Sequence, residues 1–265
     1  MYKPLIVIPA RMASTRFPGK PLAKISGISM LRRTAQIAAS IEDSVFVIAT
    51  DHADIMEHCR NYDLPAVMTA PDLASGSDRA LAAAKSFNPD AEIIVNLQGD
   101  APFTDPSHIQ AVIQGLEDEN VDIATPAIPL SWAALDDLRE TKKTTPFSGT
   151  TVIENAGRAL WFSKNIIPAI RHETRLRVTE AVSPVLRHVG LYGFKRAALE
   201  RFTQLPQSPY EKLEGLEQLR ALENDMHIAI VRVTAPQVSS PGIDTIEDLL
   251  RAETAIKIHG DPFLK

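Results

Sequence analysis

The chain has 265 residues, 45% hydrophobic and 23% charged, with a net charge of −5 and one cysteine, which permits one large α/β domain or a domain with a sizeable insertion. The acidic balance argues against a general nucleic-acid surface, and the lone Cys59 excludes an internal disulfide and suits a reducing compartment, where a buried helix position is its expected place. The opening apolar run is too short for a signal peptide, and no stretch approaches a membrane span, so a soluble, cytoplasmic protein is expected.

Short apolar runs alternate with helical patterns through the first half. PLIVIP reads as a strand, SMLRRTAQIAASI as a helix, SVFVIATD as a strand and HADIMEHCRN as a helix. AVMTA, the helix-like DRALAAAKSF and the buried strand AEIIVNLQGD follow, then a helix around DPSHIQAVIQGL. This alternation is the signature of βαβ units and a mainly parallel sheet. Ligands of such sheets bind at the carboxyl ends of the strands. The polar clusters Arg11 to Lys20, Asp51, and Gln98 to Asp100 are therefore expected on one edge. From about residue 121 the pattern is mixed: VDIATPAIPL, TTVIEN and RALWFSK look like strands between loops, and TRLRVTEAVSPVLRHVGLYGF passes from a charged loop into a strand. SPYEKLEGLEQLRALEND reads as a helix or as two separated near Gly215, HIAIVRVTA as a strand, and IDTIEDLLRAETAIKI as a final helix with Asp244 or Thr245 near its N-cap. With no repeat or linker, the chain reads as one domain over residues 1–265, with an inserted substrate and dimer-forming lobe at roughly 125–215.

Several clusters admit both a structural and a functional role. The loop VIPARMASTRFPGKPLAKISG carries Arg11, Arg16, Lys20 and Lys24 around Gly19. It could be a solvated basic loop or a cradle for a polyphosphate. It is not a Walker A loop, since Pro21 follows Gly19-Lys20, and the chain has no G-x-G-x-x-G fingerprint. Asp100, just past a buried strand, could cap the next helix or hold a hard divalent cation. In SGSDR, Ser77 or Asp78 could cap a helix while Gly76 lets the backbone approach a planar base near Arg79. In RHVGLYGF, alternation puts His188, Gly190 and Tyr192 on one strand face, a candidate site for a polyhydroxylated ligand where a lone histidine would more often be structural. Glu217 with Gln218, and Asp244, have plain readings as an exposed helix face and a cap.

Taken in order, IPARMASTRFPGKPL, ATDH, MTAPDLASGSDR, VNLQGDAP, LRHVGLYGF, LEQLRALE and GIDTIEDL closely resemble the 3-deoxy-manno-octulosonate (Kdo) cytidylyltransferases, from residue 5 to about 252. The resemblance implies a Rossmann-like nucleotide-diphospho-sugar transferase fold, a mixed, mainly parallel sheet with an inserted lobe, and a homodimer. It implies Mg²⁺-dependent transfer of CMP from CTP to the anomeric hydroxyl of Kdo, giving CMP-Kdo and pyrophosphate for lipopolysaccharide biosynthesis. Arg11 and Lys20 would hold the CTP phosphates, with Arg16 reaching the phosphates or the sugar acid. Ala10, Ser75, Gly76 and Arg79 would line the cytidine pocket, and Gln98 would sit at the nucleotide–sugar junction. Asp100 and Asp244 would ligate Mg²⁺, and His188, Tyr192, Glu217 and Gln218 would surround the sugar acid. Arg11, Lys20, Asp100 and Asp244 form the implied catalytic set.

Three positions depart from the family pattern. Ala101 stands where a Glu usually follows QGD, Thr150 where a lysine is expected, and IPAIR (167–171) replaces IPWDR. The nucleotide and metal motifs are intact, so the acceptor stays open between Kdo, its 8-amino analogue and a sialic-acid-like acid. A nucleotide-binding homologue without catalysis is the alternative from another class, and the missing glycine fingerprint counts against a nicotinamide-dependent dehydrogenase.

Overall fold

The computed structural model describes residues 3–13, 17–236 and 242–264. Arg16 lies outside them. The first half alternates as its sequence requires: β1 (Leu5–Ala10), a 3₁₀ turn (Lys20–Leu22), the small hairpin β2 (Lys24–Ile25) and β3 (Ile28–Ser29), α1 (Met30–Ala39), β4 (Val45–Thr50), α2 (Ala53–Asn61), β5 (Ala66–Met68), α3 (Gly76–Phe87), β6 (Ile93–Asn96) and α4 (Pro106–Gly115). The second half begins with β7 (Ile123–Pro129), α5 (Trp132–Thr144), the hairpin β8 (Thr151–Asn155) and β9 (Arg158–Ser163), and α6 (Glu173–Thr179). Then come β10 (Leu186–His188), β11 (Tyr192–Lys195), α7 (Arg196–Gln204), α8 (Pro209–Glu214), α9 (Gln218–Leu222), β12 (Ile228–Arg232) and α10 (Ile246–His259).

Ten strands form one sheet in the order β10-β8-β9-β12-β7-β11-β6-β1-β4-β5. β1 pairs in parallel with both β4 and β6, as does β4 with β5. Both faces of β1 are covered: Leu5 and Val7 join one core cluster, Ile6, Ile8 and Ala10 the other. That double burial explains the unbroken apolar run, because a parallel strand flanked by helices has no solvent face to mark with polar residues. Fully burying each of its large aliphatic side chains contributes about 1.5–3 kcal/mol. β1 itself carries no polar side chain, so its chemistry is confined to the loop at its end.

The sheet is mixed beyond β6, and β10 pairs with β7 as well as β8. Strands β7, β12, β9, β8 and β10 therefore close into a ring. The expected single strand through RHVGLYGF is instead two. On β7, His188 is opposite Ala127 while Gly193 is opposite Ala124. Five steps along one chain match three along the other, so residues 189–191 bulge out of the ladder. The segment expected as a charged loop contains α6, and α5 and α7 occupy stretches where periodicity suggested no helix. α5 buries only Leu135, too little to produce an apolar stripe.

The charges of α5 and α6 are organised. Arg139 donates both guanidinium ends to Glu173, at 2.7 Å each, and Arg177 bridges Glu173 and Asp136. These hydrogen bonds hold the Glu173 carboxyl down to about 2, below its usual 4.5. The sign follows: the stabilisation is complete above the unfolded value of 4.5 and is lost as pH falls towards 2. The gap in melting temperature between the native chain and Glu173→Gln should therefore narrow from about pH 5 to about pH 3. A gap independent of pH would show that the network adds no charge-dependent stability.

Candidate active site

Three loops meet at the carboxyl edge of the parallel strands. The first leaves β1 and carries Arg11 and Lys20. Gly19 sits at φ 72°, the left-handed region, and starts the 3₁₀ turn that presents Lys20. The second leaves β6 and carries Gln98 and Asp100. At Gly99 a Cβ would lie 2.6 Å from the Pro9 carbonyl oxygen, so only glycine lets this loop close against β1. The third precedes α10 and carries Asp244, and the Ile243 N–H donates to the Asp100 carbonyl at 2.9 Å.

Lys20 joins them. Its Nζ donates to Asp100 Oδ2 at 2.6 Å and to Asp244 Oδ1 at 3.0 Å. Burial works to lower the Lys20 pKa, but the two carboxylates outweigh it and the net shift is upward. Neither aspartate caps a helix: Asp105 caps α4 and Thr245 caps α10 in a capping box with Asp248. The structural alternative for both is thus taken by neighbours. Two converging carboxylates within reach of one cation are a hard oxygen donor set that suits Mg²⁺, which commonly takes one or two carboxylates and completes its shell with phosphate and water.

At the neighbouring end, Arg11 Nη2 donates to the Leu73 carbonyl and, at 3.4 Å, to that of Ser75. Ser75 caps α3 in a capping box with Asp78, so this helix end spends N–H groups on its own cap. Gly76 lies against Asn96 and Gln98, and Ala10 is buried where β1 meets this edge. Arg79 has no exposed surface. It donates to Thr69 and, at 2.6 Å, to Asp51, and its Nε has no hydrogen-bond partner. Burial, then the nearby Arg11 charge, lowers its pKa.

His188 packs on Tyr192, which shares a small cavity with Glu217 and Gln218. The His188 and Tyr192 rings are 5.3 Å apart, and Phe162 stands edge-on to His188 at 5.1 Å. Ser77, Tyr192, Glu217 and Gln218 line a small cavity with Ile123, Phe194 and Phe202. Burial drives each titratable group here towards neutrality. Burial, with the Lys164 charge, pushes His188 down to about 3, while burial, with the Glu217 charge, raises Tyr192 well above its ordinary value. Burial also raises Glu217, whose Oε1 has no hydrogen-bond partner, as does Gln218 Nε2. A roomier cavity of about 400 Å³ lies between α1, residues 102–106 and residues 259–263, and none of these site residues lines it.

Lys164 is the site residue that sequence reasoning missed. Thr151 pairs with Ser163 across the β8–β9 hairpin, so the next step outward sets Lys164 beside Thr150. The Lys164 N–H donates to Glu214 at 2.7 Å, and Lys142 donates to the Lys164 carbonyl at 2.5 Å and to that of Gly149 at 3.0 Å. Thr150 itself is buried, and its carbonyl accepts from the His188 N–H at 2.9 Å. A lysine ending the strand RALWFSK was the available signal, but its relation to His188 needs the hairpin register.

The Glu217 environment makes a stability prediction. Its folded pKa lies above the unfolded 4.5, so its ionised form weakens the fold as pH rises past that value. Glu217→Gln should raise the melting temperature at about pH 7, with the gain fading at about pH 4, where both states bind the proton. Equal melting temperatures at pH 7 would overturn this reading of its burial.

The cytidylyltransferase family profile matches residues 5–228. The 3-deoxy-manno-octulosonate cytidylyltransferase of Maricaulis maris is 43% identical, over 97% of this chain and 98% of its own length. That of Mesorhizobium japonicum is 42% identical, over 95% and 98%. A solved structure of CMP:2-keto-3-deoxy-manno-octonic acid synthetase complexed with CTP superposes with a TM-score of 0.83 at 32% identity, covering 97% of this chain and 99% of that one. A cytidylyltransferase from Leptospira borgpetersenii, 18% identical with a TM-score of 0.61, shares the fold. An α/β sheet of this topology, with an Arg–Lys loop facing two carboxylates at its edge, is thus a nucleotide-diphospho-sugar transferase fold, and the chain is a nucleotidyltransferase that belongs to the 3-deoxy-manno-octulosonate cytidylyltransferase family.

Proposed function

We propose that the protein transfers CMP from CTP to the anomeric hydroxyl of Kdo, releasing pyrophosphate and supplying CMP-Kdo for lipopolysaccharide synthesis. The observation that carries this is the convergence of Asp100 and Asp244 on the Lys20 ammonium, at 2.6 and 3.0 Å, beside the Arg11 loop. The relatives' names and the CTP complex support the substrates.

The bond between the anomeric oxygen and the α-phosphorus forms as the bond to pyrophosphate breaks in line, and the hydroxyl proton passes to water. Catalysis of this kind rests on positioning and charge neutralisation rather than a protein nucleophile. Arg11 and Lys20 hold the phosphates, and Arg16 reaches the phosphates or the acid. Ala10, Ser75 and Gly76 face the cytidine, with Arg79 fixing the pocket wall through Asp51 and Thr69. Gln98 stands at the junction of the two substrates. Asp100 and Asp244 would hold Mg²⁺, which would supply positive charge to the reacting phosphates. His188, Tyr192, Glu217 and Gln218 orient the sugar acid, and Lys164 supplies the positive charge that the family pattern puts at position 150. We assign the whole chain to one nucleotidyltransferase domain. Phe147, Leu160, Val182 and Leu213 are exposed apolar side chains of its 125–215 lobe and support pairing of two copies there.

Pyrophosphate release with Mg²⁺ and CTP, comparing Kdo, its 8-amino analogue and a sialic acid, tests the reading. Kdo should be the best acceptor, and a preference for another acid would reassign the sugar. Asp100→Asn should lower turnover by more than about a hundredfold, the scale of one lost transition-state electrostatic contact, with the melting temperature little changed. Normal turnover in that variant would remove Asp100 from the metal site.

A further inference from the structure

The bulge at residues 189–191 encloses an arrangement that decides which nitrogen of His188 carries its proton. Thr125, on β7 opposite the bulge, has no exposed surface. Its Oγ1 lies 2.7 Å from the Leu191 carbonyl oxygen, 3.3 Å from that of Val189 and 2.8 Å from His188 Nε2. A hydroxyl has one proton to give. The Val189 carbonyl already accepts from the Leu191 N–H at 2.8 Å. Two oxygens 2.7 Å apart attract only with a proton between them, so the hydroxyl must donate to Leu191. What it turns towards His188 is then a lone pair, and Nε2 must be the donor. The neutral ring therefore has a bare Nδ1, which makes no hydrogen bond among the described residues.

We propose that Thr125 locks His188 in the Nε2–H tautomer, so that Nδ1 is an obligate acceptor for a hydroxyl of the polyhydroxy acid. This rests on the functional reading above. An ionised carboxylate is acceptor-only and would meet the Nδ1 lone pair repulsively, so the acid must turn a hydroxyl towards His188. Its carboxylate is then left for a cation, and Lys164 is the one whose field reaches this ring. Tyr192, packed on the ring, and Glu217 beside Tyr192 favour their proton-bearing forms through burial. Thr125 touches no substrate in this account and is a positioning residue.

Long-range nitrogen–proton correlation spectra of nitrogen-labelled, substrate-free protein at about pH 7 test the tautomer directly, with His188→Asn identifying the signal among the seven histidines. The Nε2–H pattern is expected. An Nδ1–H pattern or an imidazolium in an enzyme that transfers CMP would overturn the inference and leave the functional reading intact. Thr125→Val should release the tautomer and raise KM for the acceptor about tenfold with KM for CTP unchanged, the loss of one oriented hydrogen bond, while Thr125→Ser should keep both properties. An unchanged tautomer and acceptor KM in the valine variant would overturn it too. The expected tautomer in a protein that binds CTP but transfers CMP to none of the three acids would overturn the functional reading and, with it, the hydroxyl partner.

Discussion

One ammonium group bridges two carboxylates that the fold forces together. Asp100 and Asp244 are 144 positions apart in sequence, by subtraction of their numbers, yet both reach the Lys20 Nζ. Without a cation between them they would repel across a partly buried gap. The surrounding backbone is arranged to keep them there: Gly99 lets one loop close against Pro9, Gly19 turns Lys20 inward, and the Ile243 N–H ties the third loop to Asp100. The ammonium is thus the protein's own counter-charge in a place suited to a nucleotide's metal.

The two ends of the site use different physics. Where the nucleotide is proposed to bind, charges are paired and partly wet. Where the acceptor is proposed to bind, His188, Tyr192 and Glu217 are half-buried and burial disfavours their charged forms, which suits recognition of hydroxyls by oriented hydrogen bonds. Tyr192 and Glu217 retain their protons more strongly there, and His188 refuses one. Burial lowers the Lys164 pKa as well, and its backbone is gripped from both sides by Glu214 and Lys142.

The parallel half was legible in the sequence because its information is local. Continuous apolar runs marked β1, β4 and β6, and the polar residues just beyond them fell on one edge as parallel strands require. Whether Asp100 and Asp244 cap helices was not legible, since Asp105 and Thr245 had to be seen in the capping positions. The antiparallel half hid more. Its contacts depend on register: Lys164 beside Thr150, the displaced run from His188 to Gly193, and Thr125 beneath the bulge all join residues far apart in sequence. α5 was invisible for another reason, as a helix with one buried residue has no periodic face.

The position of Asp244 also sets the order in which the site is assembled. β12 ends at Arg232, so every strand of the ten-stranded sheet has been synthesised before the second carboxylate emerges. α10 is then fastened at its start through the Thr245 cap and beyond its end through Asp261, which takes both guanidinium ends of buried Arg33 at 2.7 and 2.8 Å. A nascent chain can thus complete its sheet while its charge centre is still half made.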